Sequence, residues 1–308
     1  MLVNNRNEPC GILAINKSSG WTSHDVVAKL RGLYHIKKIG HTGTLDPLAE
    51  GLLLVCVGKA TKVIRFFERD TKTYQARICF GAETDTYDST GTVICRSQPL
   101  FSRSDLDQVL TRFTGDITQK PPIYSALKKN GKKYYEYARE GKAIDIPERP
   151  IHISEIKITN DADFPNDVDI KVTCSAGTYI RSLCHDIGHA LGTHACMARL
   201  KRLSVGSVSL DRAHTIDEIE SLPLSERKAL LTPIDIFLTF PKVYSKREGD
   251  RFIENGGLLH SWNTDDDISG LPDKALVRLY RSDGLFIGVG QKIISEQDPS
   301  IKPLKLLI

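Results

Sequence analysis

No apolar stretch of this chain is long enough to cross a membrane. The longest clean run, Leu52–Val57, has six residues, against the roughly 20 that a spanning helix needs. Met1 to Pro9 is polar and lacks the apolar core of a secretory signal; a cytoplasmic protein is expected. Cysteine is too irregular for a disulfide framework. The seven residues at 10, 56, 79, 95, 174, 184 and 196 are odd in number and unevenly spaced, so most should be small buried apolar groups. There is no internal repeat and no low-complexity segment. Charge of one sign is also scarce, with 42 Lys+Arg against 38 Asp+Glu. Residues 239–308 hold ten of each, so the whole positive excess, 32 against 28, lies in residues 1–238. Metal motifs are incomplete. His185 and His189 lie one helical turn apart with His194 and Cys196 after them, but no Glu follows the first His as in a zinc-protease helix. Asp85 and Asp88 lack the alternate-residue spacing of a calcium loop and read as turn residues. No metal site is expected.

What is present is an ordinary globular composition, 40% hydrophobic and 26% charged over 308 residues, ample for one large domain or two. Strands are expected at Gly11–Ile15, Leu52–Val57, Thr73–Phe80, Ile151–Ile158 and Val168–Cys174. Helices are expected from Thr22 or Ser23 to Leu33, over Lys59–Glu68, over Ser104–Phe113 and, amphipathically, over Thr178–Leu191. Strands and helices intermix without strict alternation, which predicts an α+β fold with a mixed sheet. Near Leu238–Pro241 the character changes, and 239–308 reads as a small β-rich domain.

Gly40-His-Thr-Gly-Thr-Leu-Asp-Pro-Leu-Ala-Glu-Gly51 is the most informative string. It presents one acid, Asp46, between glycine turns and directly before Pro47, which stiffens the loop and biases Asp46 toward an extended conformation. Such a carboxylate can act as a nucleophile or base, or simply bond its own backbone in a turn. Lys128-Lys-Asn-Gly-Lys-Lys133, followed by Tyr134, Tyr135, Tyr137 and Arg139, combines phosphate-neutralising lysines with stacking rings; a solvated loop leading into a helix is the alternative. In Ser175-Ala-Gly-Thr-Tyr-Ile-Arg181, Gly177 makes a turn, Thr178 is placed to cap a helix, and Tyr179 and Arg181 fall in its first turn. Arg181 either pairs with Asp46, keeping it charged in a partly dry pocket, or lies on the surface. Tyr74 is either core or a ring at the sheet edge.

Together these strings resemble the bacterial pseudouridine synthase B family, which isomerises uridine 55 in the T-arm of tRNA. The resemblance rests on Gly40 to Ala49, Lys72-Thr-Tyr74, Pro122-Ile-Tyr-Ser-Ala-Leu-Lys128, Gly131 to Arg139, Gly177 to Arg181 and Leu200-Lys-Arg-Leu203, in the family's order. It implies a catalytic domain over 1–238 with an inserted basic lobe at about 120–152 that clamps the T-loop. It also implies a PUA-like RNA-binding domain over 239–308. Asp46 is implied as the catalytic carboxylate, Arg181 as its salt-bridge partner and Tyr74 as the ring stacked on the target uracil. Tyr179 is implied as a second pocket aromatic and His41 as a contact near the extruded nucleotide. Lys17, Lys128, Lys132, Lys133 and Arg202 are expected to touch the RNA. The reaction cleaves the N1–C1′ bond, rotates the uracil and rejoins C1′ to C5, so it is redox-neutral and needs no cofactor or metal. The base must first be flipped out of its loop. The enzyme is expected to act alone on tRNA as a monomer, without guide RNA or membrane; a non-enzymatic tRNA-folding chaperone is the alternative. Two positions depart from the family pattern: Ser18 stands where a proline is usual, and Glu50 places a second carboxylate four residues from Asp46.

Overall fold

A computed structural model describes residues 8–67, 70–294 and 299–308. Strand β1 (Gly11–Lys17) leads into helix α1 (Ser23–Tyr34), then β2 (Ile39–His41) and β3 (Glu50–Val57). A 3-10 run over Gly58–Phe66 stands where a helix was expected over Lys59–Glu68, whose last residue lies outside the described residues. After it come β4 (Lys72–Phe80), the short pair β5 (Ala82–Thr84) and β6 (Val93–Arg96), helix α2 (Arg103–Arg112) and β7 (Gly115–Gln119). The basic string forms a two-stranded hairpin, β8 (Lys128–Lys129) and β9 (Lys132–Lys133), running into helix α3 (Tyr134–Arg139). The sequence closes this part with β10 (Arg149–Asp163), β11 (Asp167–Cys174), helix α4 (Ile180–Ala190), β12 (Ala195–Val205) and β13 (Val208–Ser209).

The main sheet runs β1-β3-β12-β4-β11-β10-β7, with β2 paired to β3 and β13 to β12. The β3–β12 pair is parallel and the others are antiparallel, so the sheet is mixed, as the α+β reading requires. Strand β3 is covered on both faces. Leu53, Val55 and Val57 join the core beneath α1 and α4, whereas Leu52, Leu54 and Cys56 join a second core with Val63, Phe67 and residues of the tail. That double burial is why its sequence is a continuous apolar run rather than an alternating one.

Helix α1 starts at a reciprocal capping box. Thr22 Oγ1 accepts from the Asp25 amide at 3.0 Å, and Asp25 Oδ2 accepts from the Thr22 amide at 2.8 Å. Ser23, the other candidate cap, is instead buried and tied to the Asp46 loop. Helix α4 begins one residue later than its capping threonine would place it. Tyr179 occupies the cap position without a side-chain cap bond, and Thr178 Oγ1 has no partner among the described residues. The first turn is held instead by Gln119, whose side chain accepts from the Tyr179 amide at 2.8 Å and donates to the Tyr179 carbonyl at 3.0 Å.

The tail forms a five-stranded sheet of β14 (Lys242–Tyr244), β15 (Leu259–His260), β16 (Leu276–Tyr280), β17 (Phe286–Ile294) and β18 (Pro299–Leu306), ordered β14-β16-β17-β18-β15. It has its own small core of Val243, Ile253, Leu259, Val277, Leu279, Ile287 and Ile301. Tyr280, Phe286, Val289 and Leu307 turn the other way and pack with Ile12, Leu52 and Leu54 behind the main sheet. Among the described residues, no helix is long and apolar enough to cross a membrane.

Candidate active site

The loop carrying Asp46 is held by buried groups on every side. Ser23 Oγ donates to the Leu45 carbonyl at 3.1 Å and accepts from the Leu45 amide at 2.9 Å. The Gly20 amide donates to the Pro47 carbonyl at 2.9 Å. Lys17 is 1% exposed, and its ammonium donates to the carbonyls of Trp21 (2.7 Å), Ser18 (3.0 Å) and Pro47 (3.4 Å). Arg202 is 2% exposed and donates to the carbonyls of Leu52 (2.7 Å) and Gly43 (3.1 Å). Gly51, at φ +95, lets β3 pass β12 so closely that a Cβ there would stand 2.3 Å from the Arg202 carbonyl oxygen.

Asp46 Oδ2 lies 2.9 Å from Arg181 Nη2, in the first turn of α4. On its other side the Arg181 guanidinium faces Asp88 Oδ2 at 3.7 Å. Asp88 is itself buried, and its second oxygen accepts from the Thr90 amide at 3.0 Å and the Thr86 hydroxyl at 2.9 Å. One buried cation thus stands between two carboxylates. Burial pushes the Asp46 carboxyl above the ordinary aspartate range; Arg181 and Lys17 pull it down, Asp88 pushes it up, and burial prevails. The acid is therefore a better base than a surface aspartate. Glu50 is exposed.

Asp46 opens onto a cavity of about 740 Å³, the size of a small-ligand site. Tyr74, Tyr124, Tyr135 and Tyr179 line it with His41, so a flat, hydrogen-bonding group brought beside Asp46 meets several ring faces. Burial, with His24 and Arg202 nearby, pushes His41 down to about 4, so its imidazole is neutral at pH 7. The geometry suits a carboxylate acting on a planar ring system held against tyrosine faces.

The TruB family pseudouridylate synthase N-terminal domain matches residues 31–180, and the tRNA pseudouridylate synthase B C-terminal domain matches 181–239. The chain is 40% identical over 282 residues to the tRNA pseudouridine synthase B of Caldanaerobacter subterraneus subsp. tengcongensis, covering 91% of this chain and 94% of that one. It is likewise 40% identical over 286 residues to the enzyme of that name from Burkholderia pseudomallei, covering 91% and 92%. The chain belongs to the tRNA pseudouridine synthase B family. In fold it is similar to the chain in the crystal structure of the archaeal box H/ACA sRNP Nop10-Cbf5 complex, with a TM-score of 0.75 and 22% identity over 98% of this chain and 87% of that one.

Among the residues that the family resemblance singled out, Asp46, Arg181, Tyr74, Tyr179, His41 and Arg202 all line the one cavity. Tyr74 is not at a sheet edge: β4 lies between β12 and β11, and the ring is 8% exposed. Lys17 was expected to touch substrate, but it does not line the cavity; it is a buried brace behind Pro47. Arg202 reaches the wall, and its guanidinium donates to the carbonyls of Leu52 on β3 and Gly43 in the loop. Lys128, Lys132 and Lys133 stand outside the cavity on the hairpin, while Tyr135 and Arg139 from α3 reach its lining. Lys132 pairs with Glu140 and lies 4.9 Å over the Tyr137 ring; Lys133 lies 5.3 Å over that of Tyr135. Sequence reasoning missed Asp88, read as a turn residue, together with Gln119 and Tyr124. Tyr124 sits inside a string already quoted for the resemblance; nothing local marks Asp88 or Gln119 as buried.

Proposed function

We propose that this chain isomerises uridine 55 in the T-arm of tRNA to pseudouridine, acting without guide RNA, with Asp46 as the catalytic carboxylate. The observation that carries the reading is the Asp46–Arg181 pair at 2.9 Å, set in a cavity whose rings include Tyr74 and Tyr179. The flipped uracil stacks on Tyr74, the sugar lies against Asp46, and Arg181 orients the carboxylate. C1′ is released from N1, the base turns, C5 bonds to C1′, the C5 proton leaves and N1 takes one up, so the reaction is an isomerisation. Flipping costs roughly a few kcal/mol, recovered by stacking and backbone contacts. Recognition of the T-arm falls to its shape, read by the lobe at about 120–152 with the lysines of the hairpin. The segment 239–308, with its balanced charge, contributes a weaker contact as a PUA-like domain. Family membership, together with Asp46, Arg181 and Tyr74 in one cavity, disfavours a protein that only folds tRNA.

The test is pseudouridine formation at position 55 of an unmodified tRNA transcript, with no guide RNA, comparing the native protein with Asp46→Ala. Product from the native protein alone is expected. Product at another position, or product that requires a second RNA, would overturn the reading.

A further inference from the structure

Outside the cavity, the described residues hold one concentrated set of metal-ligating side chains, and its members come from three separate parts of the chain. Glu83, on β5, is buried against the last turns of α4. His185 Nε2 lies 3.1 Å from its Oε1, His189 Nε2 lies 3.0 Å from its Oε2, and His194 Nδ1 lies 2.7 Å from the same Oε2. The donor atoms of Glu83, His185 and His189 all fall within 4.8 Å of one another. Cys95 is opposite Glu83 in the β5–β6 pair, and its sulfur falls within the same limit of Glu83 and His194.

We propose that Glu83, His185 and His189 form a structural site for one divalent cation of the zinc class, with His194 beside it on Glu83 Oε2. Two imidazoles and a carboxylate are a donor set that zinc accepts, with ligand bonds of about 2.0–2.2 Å. With their lone pairs turned inward, the His185 and His189 nitrogens that meet Glu83 can ligate. The surroundings are built to orient them. His185 Nδ1 is 2.9 Å from Asp186 Oδ1, which fixes the ring with Nε2 toward Glu83, the usual outer-shell arrangement of a metal-bound histidine. Tyr87 stacks on the same ring at 3.9 Å. The backbone of His194 is held as well, its amide donating to Ser97 Oγ at 2.8 Å.

The ion would join the β5–β6 pair to α4. It takes no part in the chemistry, since none of its ligands lines the cavity. It would nevertheless sit one helical turn beyond Arg181, and the residue after the stacked Tyr87 is Asp88. The site therefore braces, from behind, Arg181 and the Asp88 that faces it.

Chelator-stripped full-length protein titrated with Zn²⁺ in a calorimeter should bind one ion per chain. Its melting midpoint should rise by roughly 5 °C at a hundredfold excess over Kd. Glu83→Gln and His189→Ala should each weaken binding at least tenfold while circular dichroism stays native; His189 is half exposed, so its truncation leaves the fold intact. Co²⁺ as a spectroscopic probe should give visible bands that His189→Ala abolishes. Absence of saturable binding, or unchanged affinity in either variant, overturns the site.

Discussion

The molecule keeps its positive charge in two different conditions. Around Asp46 the cations Lys17, Arg181 and Arg202 are all under a tenth exposed and are committed to carbonyls and carboxylates. On the hairpin that leads into α3, Lys128 is exposed and Lys132 and Lys133 are half-buried, beside Glu140 and tyrosine rings. A cation already surrounded by fixed acceptors holds a shape, whereas one in water is free to exchange its counterions for phosphates. The first group should therefore govern the rate of the chemical step and the second the strength of RNA binding.

The largest test of that division is Asp46→Ala, which should lower kcat by ~10⁴-fold or more while tRNA affinity stays within a few fold; single-turnover rates beside filter binding measure both. Arg181→Lys comes next. It keeps the charge but loses the planar fork, and should reduce kcat by about 10²-fold with little change in KM. A comparable loss in KM instead would make Arg181 an RNA contact and dissolve the contrast. Lys17→Met strips the buried carbonyls of their donor and should cost about 2–3 kcal/mol of stability, read as a shifted urea midpoint; an unchanged midpoint would mean that the brace is dispensable.

A pH series sharpens the same comparison. Because burial raises Asp46, kcat/KM of the free enzyme should fall toward acid with a midpoint above the ordinary aspartate value of about 3.9. Asp88→Asn removes a neighbouring negative charge that favours the protonated acid, so its midpoint should move to lower pH; a move upward would contradict the assigned sign. The smallest effect belongs to the hairpin. Lys132→Ala with Lys133→Ala should raise KM several-fold, leave kcat unchanged and reduce the salt slope of binding by about 2.

Local signals were legible in the chain and long-range burial was not. The Asp46 loop could be read because glycine and proline act on their own neighbours, and the α1 start because Thr22 and Ser23 are both local capping residues. The double-faced strand Leu52–Val57 announced itself by an unbroken apolar run. Lys17 and Arg202 were read as RNA contacts because a lysine or arginine is by default a surface group, and only the assembled fold shows the carbonyls they meet. Asp88 read as a turn residue for the same reason. The family strings implied the partnership of Asp46 with Arg181, but spacing alone could not join residues so far apart. The histidines of α4 were seen, but the acid they surround comes from β5 and carries no local mark.

Strand β12 lies between β3 and β4, two strands that follow one another in sequence. During synthesis β3 and β4 emerge together, yet the place between them stays unfilled until about residue 205 has left the ribosome. Arg181 and Arg202 arrive in that same late stretch. The nascent chain thus carries Asp46 and Lys17 long before it has Arg181, and the Asp46–Arg181 pair can form only after β11 has been made.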